Sequence, residues 1–135
     1  MWKHSTSTPL FSRPFVFHNA SGDVMVAIGG QDGAVHCLRA SLTAAVEVWR
    51  SQLGARVFSA VTAAAPLDAD GTAAALVCCT TDGRVVCLQP ASGAVVAELP
   101  LHGECFSSPT VALCRGHLRV LVGSRADKLH CVSVT

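Results

Sequence analysis

Ser12, Ser59 and Ser107 are the first residues whose type and spacing could do chemistry, since each follows a phenylalanine at a fixed step along the chain. A serine nucleophile needs a base within hydrogen-bond reach and a third group to orient that base. His18 and His102 are available by count only; no spacing ties either one to a serine. A hydroxyl repeated in every unit is read instead as a partner for backbone groups at a strand start. His36-Cys37 and His130-Cys131 suggest a metal by residue type. Neighbours on a strand point to opposite faces, so neither pair can chelate one ion, and both histidines are assigned to packing between repeats. Cys78-Cys79 could close a vicinal disulfide, but the same alternation parts the two sulfurs and a strained ring would break the ladder. Asp32 and Asp82 sit in turns, where Asp tolerates positive φ and bonds its own backbone, while Asp68 and Asp70 solvate one loop. No catalytic residue and no metal ligand is assigned, and cofactor-binding residues are left open.

The elements that carry these residues repeat. Val24–Leu38 reads as strand, tight turn, strand; the phrase returns over Ala74–Leu88 and, degraded, over Arg119–Val132. Asp-Gly between two apolar runs predicts type I′ hairpins at Asp32-Gly33 and Asp82-Gly83. Phe11-Ser12, Phe58-Ser59 and Phe106-Ser107 recur at steps of 47 and 48 residues. Trp2-Lys3 precedes the first as Trp49-Arg50 precedes the second; Ala97-Glu98 takes that place in the third. Each unit reads as four strands. The first strands span 10–18, 57–65 and 105–114; the second span 24–30, 73–80 and 118–124. The third span 34–39, 84–89 and 128–134; the fourth span 46–51 and 94–99, with Trp2-Lys3 as the fourth strand of a preceding unit. The stretch 60–65 reads as helical in isolation, but the repeat register makes it a strand. Cys37, Cys87 and Cys131 share the middle of the third strand and are expected to be buried.

Four antiparallel strands per unit of this length describe a β-propeller blade, the first strand lining the channel and the fourth the rim. The expected fold is all-β: about three four-stranded antiparallel blades near 10–51, 57–99 and 105–135, forming one segment over 1–135. Propellers close with four to eight blades, so the segment is expected to be an open sector of a larger ring. No ladder should then join 1–5 to 128–134, and the outer faces of the end blades should be bare.

Half of the 135 residues are hydrophobic and 14% are charged, which suits strands buried on both faces or a piece of something larger. A net charge of +1 without a basic run argues against nucleic acid as partner. The chain has no apolar run of membrane-spanning length and no signal-peptide core near Met1. Its seven cysteines lack metal-type spacing and read as reduced thiols in a cytoplasmic setting.

The units resemble the pyrroloquinoline-quinone (PQQ) type of propeller repeat, through Phe106-Ser107-Ser108-Pro109 and Val122-Gly123-Ser124-Arg125-Ala126-Asp127. Pro14–Asn19, Glu98-Leu99-Pro100, Cys105–Pro109 and Val122–Cys131 further resemble the C-terminal propeller of the β-alanine-activating enzymes, within the acyl-CoA synthetase family. The likeness covers nearly the whole chain; it departs at 41–45, at the Ala-rich stretch 63–75 and at the Asp127-Lys128 turn. That resemblance implies the non-catalytic propeller portion of an adenylate-forming, amino-acid-activating ligase. Its partners would be upstream adenylation and carrier domains, or another protein. No adenylation or carrier motif occurs here, so the chain alone is not expected to be an enzyme. Quinone dehydrogenases of the repeat type need a carboxylate-held cation, and some carry a vicinal disulfide beside the quinone. No first strand here contains an acid; Glu104 is the nearest, and no cofactor is expected. Two alternatives stay open: a fragment of a PQQ-dependent oxidoreductase, and a generic protein-interaction propeller.

Overall fold

A computed structural model describes residues 1–65 and 68–134. Blade 1 is a sheet of β1 (Phe15–His18), β2 (Val24–Gly29), β3 (Ala34–Ala40) and β4 (Ala45–Gln52), in that order. Blade 2 is β5 (Thr62–Ala63), β6 (Leu76–Thr80), β7 (Arg84–Leu88) and β8 (Val95–Pro100). Blade 3 has three strands, β9 (Thr110–Cys114), β10 (His117–Ser124) and β11 (Lys128–Val134). Every ladder is antiparallel, and no helix occurs among the described residues. The fold is all-β, and no described ladder joins residues 1–5 to 128–134. Pro66 and Leu67, part of an expected loop, lie outside the described residues.

The inner strands begin later than the sequence suggests. β1 starts at Phe15 rather than at residue 10, β5 covers only two residues, and β9 starts at Thr110. The cause is side-chain substitution for the ladder. Ser12 Oγ donates to the Gly29 carbonyl (3.1 Å) and accepts from the Gly29 amide (3.0 Å). Ser59 holds both backbone groups of Cys79 and Ser107 both of Gly123 in the same way. One hydroxyl thus satisfies an amide and a carbonyl that a ladder residue would otherwise satisfy. Trp2-Lys3 also forms no strand, since no described third strand lies beside it to pair with.

The Asp-Gly hairpins are not type I′. Gly33 and Gly83 have φ of 82° and 87°, but Asp32 and Asp82 are absent from the positive-φ residues. The Gly33 amide donates to the Gly30 carbonyl and the Gly83 amide to the Thr80 carbonyl. Each loop is a type I turn followed by one left-handed residue, the three-residue hairpin geometry. Asp127 fills the glycine place in blade 3 at φ 56°, which Asp tolerates better than most residues. Two consecutive positive φ values, the type I′ requirement, occur instead at Arg115-Gly116.

The core lies between the blades. One apolar cluster joins Met25, Val35, Cys37 and Trp49 of blade 1 to Leu76, Cys78, Val86 and Leu88 of blade 2. A second joins Val77, Cys79 and Val85 of blade 2 to Cys105, Val120 and Val122. Cys78 and Cys79 fall in different clusters, as strand alternation demands, and both are free thiols. The expected burial of the repeated third-strand cysteine holds fully only in blade 1. Cys37 is buried, Cys87 half-buried and Cys131 exposed. The three still occupy equivalent ladder positions, opposite Ala27, Val77 and Leu121. What differs is the cover: blade 2 lies over Cys37, while no described blade lies over Cys131.

Candidate interaction face

Phe11, Phe58 and Phe106 form a row across all three blades. The Phe11 and Phe58 ring centroids are 5.6 Å apart, edge to face; those of Phe58 and Phe106 are 5.7 Å apart and stacked. The Arg125 guanidinium lies 5.5 Å from the Phe106 centroid, within cation–π range. Each ring is clamped from both sides along the chain. The serine that follows it is tied to the second strand of its own blade, as described. Two residues before it, a carbonyl accepts from the hairpin turn: Pro9 from the Gln31 amide, Arg56 from Thr81, Glu104 from Arg125. The spacing of these two anchors, not burial, sends the phenyls outward. Phe11 stays 68% exposed and Phe106 41%, so the row is an apolar surface and not a core seam.

A cleft of about 420 Å³ opens beside Phe58 and Phe106, bounded by Asp32, Arg56, Thr81 and Glu104. Glu104 pairs with Arg125 at 3.2 Å, and this is where the acid nearest a first strand resides. Both partners are well exposed, so the pair adds little stability. Its use is to hold a cation over the aromatic row.

The hairpin turns that border the face are braced differently in each blade. In blade 1, buried His36 lies between two carboxylates, Nε2 at 2.9 Å from Asp32 and Nδ1 at 2.9 Å from Glu47. The expected packing role of His36 is thus corrected: it is buried, but as the centre of a charged brace that continues to Arg50. Burial pushes Glu47 up, but hydrogen bonds from His36 and Arg50 outweigh it and hold the carboxyl below its ordinary value. In blade 2, Val86 stands at the His36 place and Arg84 does the bracing. Its guanidinium reaches Asp82, Glu98 and the Leu53 carbonyl of blade 1. In blade 3, His130 meets the Ser124 hydroxyl, at 2.9 Å. The signal for the brace was present in the sequence as an i, i+4 Asp32-His36 pair across a hairpin, but Glu47 enters only through the β3–β4 register.

The remaining candidates stay apart. His18 Nδ1 faces the Asp70 carbonyl at 2.8 Å while Ser12 is bonded to Gly29, and His102 is exposed. Asp68 and Asp70 both accept from the Thr72 hydroxyl in their loop. Among the described residues no three His, Cys, Asp or Glu side chains gather as metal ligands, and no helix is long and apolar enough to cross a membrane.

Comparison with known proteins follows the same lines. No family model matches the chain. It is 32% identical over 136 aligned residues to the β-alanine-activating enzyme of Danio rerio, a match that covers 96% of this chain and 11% of that protein. The chain therefore spans about a ninth of that relative's length. Among solved structures, BamB from Moraxella catarrhalis superposes with a TM-score of 0.66 at 18% identity, over 98% of this chain and 37% of that one. BBS1N in its complex with ARL6DN superposes with a TM-score of 0.53 at 15% identity, over 93% of this chain and 52% of that one. At such identities these structures speak for the fold alone, a set of β-propeller blades.

Proposed function

We propose that this chain is a non-catalytic propeller segment, of the PQQ-type repeat, from an amino-acid-activating enzyme of the β-alanine-activating kind, and that it serves as a docking surface. The observation that carries this reading is the row of exposed Phe11, half-buried Phe58 and exposed Phe106 with Arg125 above it. A soluble chain keeps such an apolar strip uncovered where it has something to bind. Rigid aromatic anchors lose little side-chain entropy on docking, and an arginine beside them adds a directional charge. The partner fitted to it is a neighbouring adenylate-forming or carrier domain of the same enzyme, in a reducing, cytoplasmic setting. In this reading the chain holds no quinone and catalyses no ligation. The similarity to the Danio rerio enzyme over nearly the whole chain supports the parentage.

The test adds the adenylation and carrier region of that relative in trans to the purified 135-residue chain. Binding is expected, and Phe58→Ala combined with Phe106→Ala should abolish it while leaving the melting temperature nearly unchanged. Equal binding by the double variant would refute the docking face. Amino-acid-dependent exchange of pyrophosphate into ATP by this chain alone, or calcium-dependent saturation with PQQ, would refute the non-catalytic reading.

A further inference from the structure

The two inter-blade contacts are built from the same repeat positions with different side chains. Between blades 1 and 2, Val35, Cys37 and Trp49 face Leu76 and Leu88. The Trp49 ring is 9% exposed, and its Nε1 donates to the Pro90 carbonyl at 2.9 Å. A Cβ added to Gly93 would fall on this ring, so the indole is gripped from both sides. Between blades 2 and 3 the corresponding residues are Val85 and Cys87, then Ala97 opposite Cys87 where Trp49 stands opposite Cys37. Val120 and Val132 replace the two leucines. The chain thus removes an indole and shortens two of the side chains around it. What remains is a cavity of about 460 Å³, lined by Val85, Cys87, Ala97, Val120, Cys131 and Val132.

Its volume lies within the range of small-molecule sites, roughly 300–1,000 Å³. The cleft is open to solvent along Ala97, and its mostly apolar walls favour an apolar guest over water. We propose that this cavity is a binding site for a flat aromatic molecule of indole size. The guest lies between blades 2 and 3 in the volume that the Trp49 side chain occupies between blades 1 and 2. The Cys87 thiol, which faces blade 3, offers polarizable sulfur to the ring. The site is separate from the phenyl row and does not depend on the proposed docking function.

The experiment titrates the 135-residue chain with indole and follows backbone amide shifts. Saturable shifts are expected at Val85, Cys87, Ala97 and Val132, with little change around Trp49. Ala97→Trp should weaken indole binding by at least about tenfold, since its own ring fills the space. Should that variant fold poorly, the unmodified chain carries a second readout. Indole should slow alkylation of Cys87, half-buried and facing blade 3, severalfold and leave Cys114, exposed on β9 and not among the cavity residues, unaffected. Absence of saturable shifts, unchanged binding by a folded Ala97→Trp chain, or equal slowing at both cysteines would overturn the proposal. So would shifts with a tryptophan-containing peptide but not with free indole, which would make the site a peptide pocket.

Discussion

Blade 1 meets blade 2 and blade 2 meets blade 3 through one backbone plan, and the two junctions are filled in opposite ways. At the outer end the first has Trp49 and the second Ala97. At the inner end the first has Gly29, where an added Cβ would collide with Val57. The second has Cys79 there, with Cys105 at the Val57 place. A large residue next to glycine becomes two residues of middle size, and both thiols are fully buried. The neighbouring Cys105 thiol, and then burial, push the Cys79 thiol up. The lesson is that the repeat fixes where blades touch, through the serine clamps and hairpin glycines. The volume at each contact is set pair by pair, and it need not come out full.

The sharpest way to break the comparison is to give the first junction the second one's composition. Trp49→Ala should destabilise the chain by about 3–5 kcal/mol, the range for losing a buried tryptophan with incomplete collapse, read as a lower urea midpoint. A loss under about 1 kcal/mol would mean that the first junction does not depend on its indole.

A smaller effect separates the inner clamps. Ser59 is fully buried, and its hydroxyl serves both the amide and the carbonyl of Cys79 at 2.7 and 3.0 Å. Ser59→Ala should cost about 1–3 kcal/mol, because two buried backbone groups lose their partner. Ser107 makes the same two bonds to Gly123 but is exposed, so water can replace its hydroxyl. Ser107→Ala should cost distinctly less in the same denaturation experiment. Equal losses would show that burial does not set the worth of the clamp.

The smallest effect concerns pH. Burial pushes Asp82 up, but hydrogen bonds from Arg84 and Thr80 outweigh it and hold the carboxyl below its ordinary value. A depressed folded value means that the bond contributes fully above the unfolded value, about 3.9. The contribution is lost as pH falls through the folded value. Arg84 also donates to Leu53 of blade 1 at 2.6 Å, so this loss loosens the first junction. Asp82→Asn should lower the neutral plateau of a melting-temperature profile by a degree or so and flatten its acid limb, the two proteins converging at low pH. The pair is partly exposed, so added salt should shrink the difference. An unchanged acid limb would remove Asp82 from the brace.

Much of this protein is legible in its sequence for a simple reason. A repeat read three times averages out local ambiguity, so the all-β fold, the strand order and the equivalence of Cys37, Cys87 and Cys131 follow from alternation and a fixed step. The structural role of Ser12, Ser59 and Ser107 was legible for the same cause: a residue needed in every blade is doing what every blade needs. Alternation alone also sent Cys78 and Cys79 to different cores. Tertiary structure decided everything that depends on two blades at once. Asp32, His36 and Glu47 meet because β4 pairs with β3 in one register, shifted at Cys37/Leu38. The phenyl row exists because three clamps hold rings about 5.6–5.7 Å apart across separate sheets. Cys131 is exposed and the Ala97 cavity is open because burial and packing are properties of a pair of surfaces. A sequence states each surface, but only the docked sheets set the distance between them.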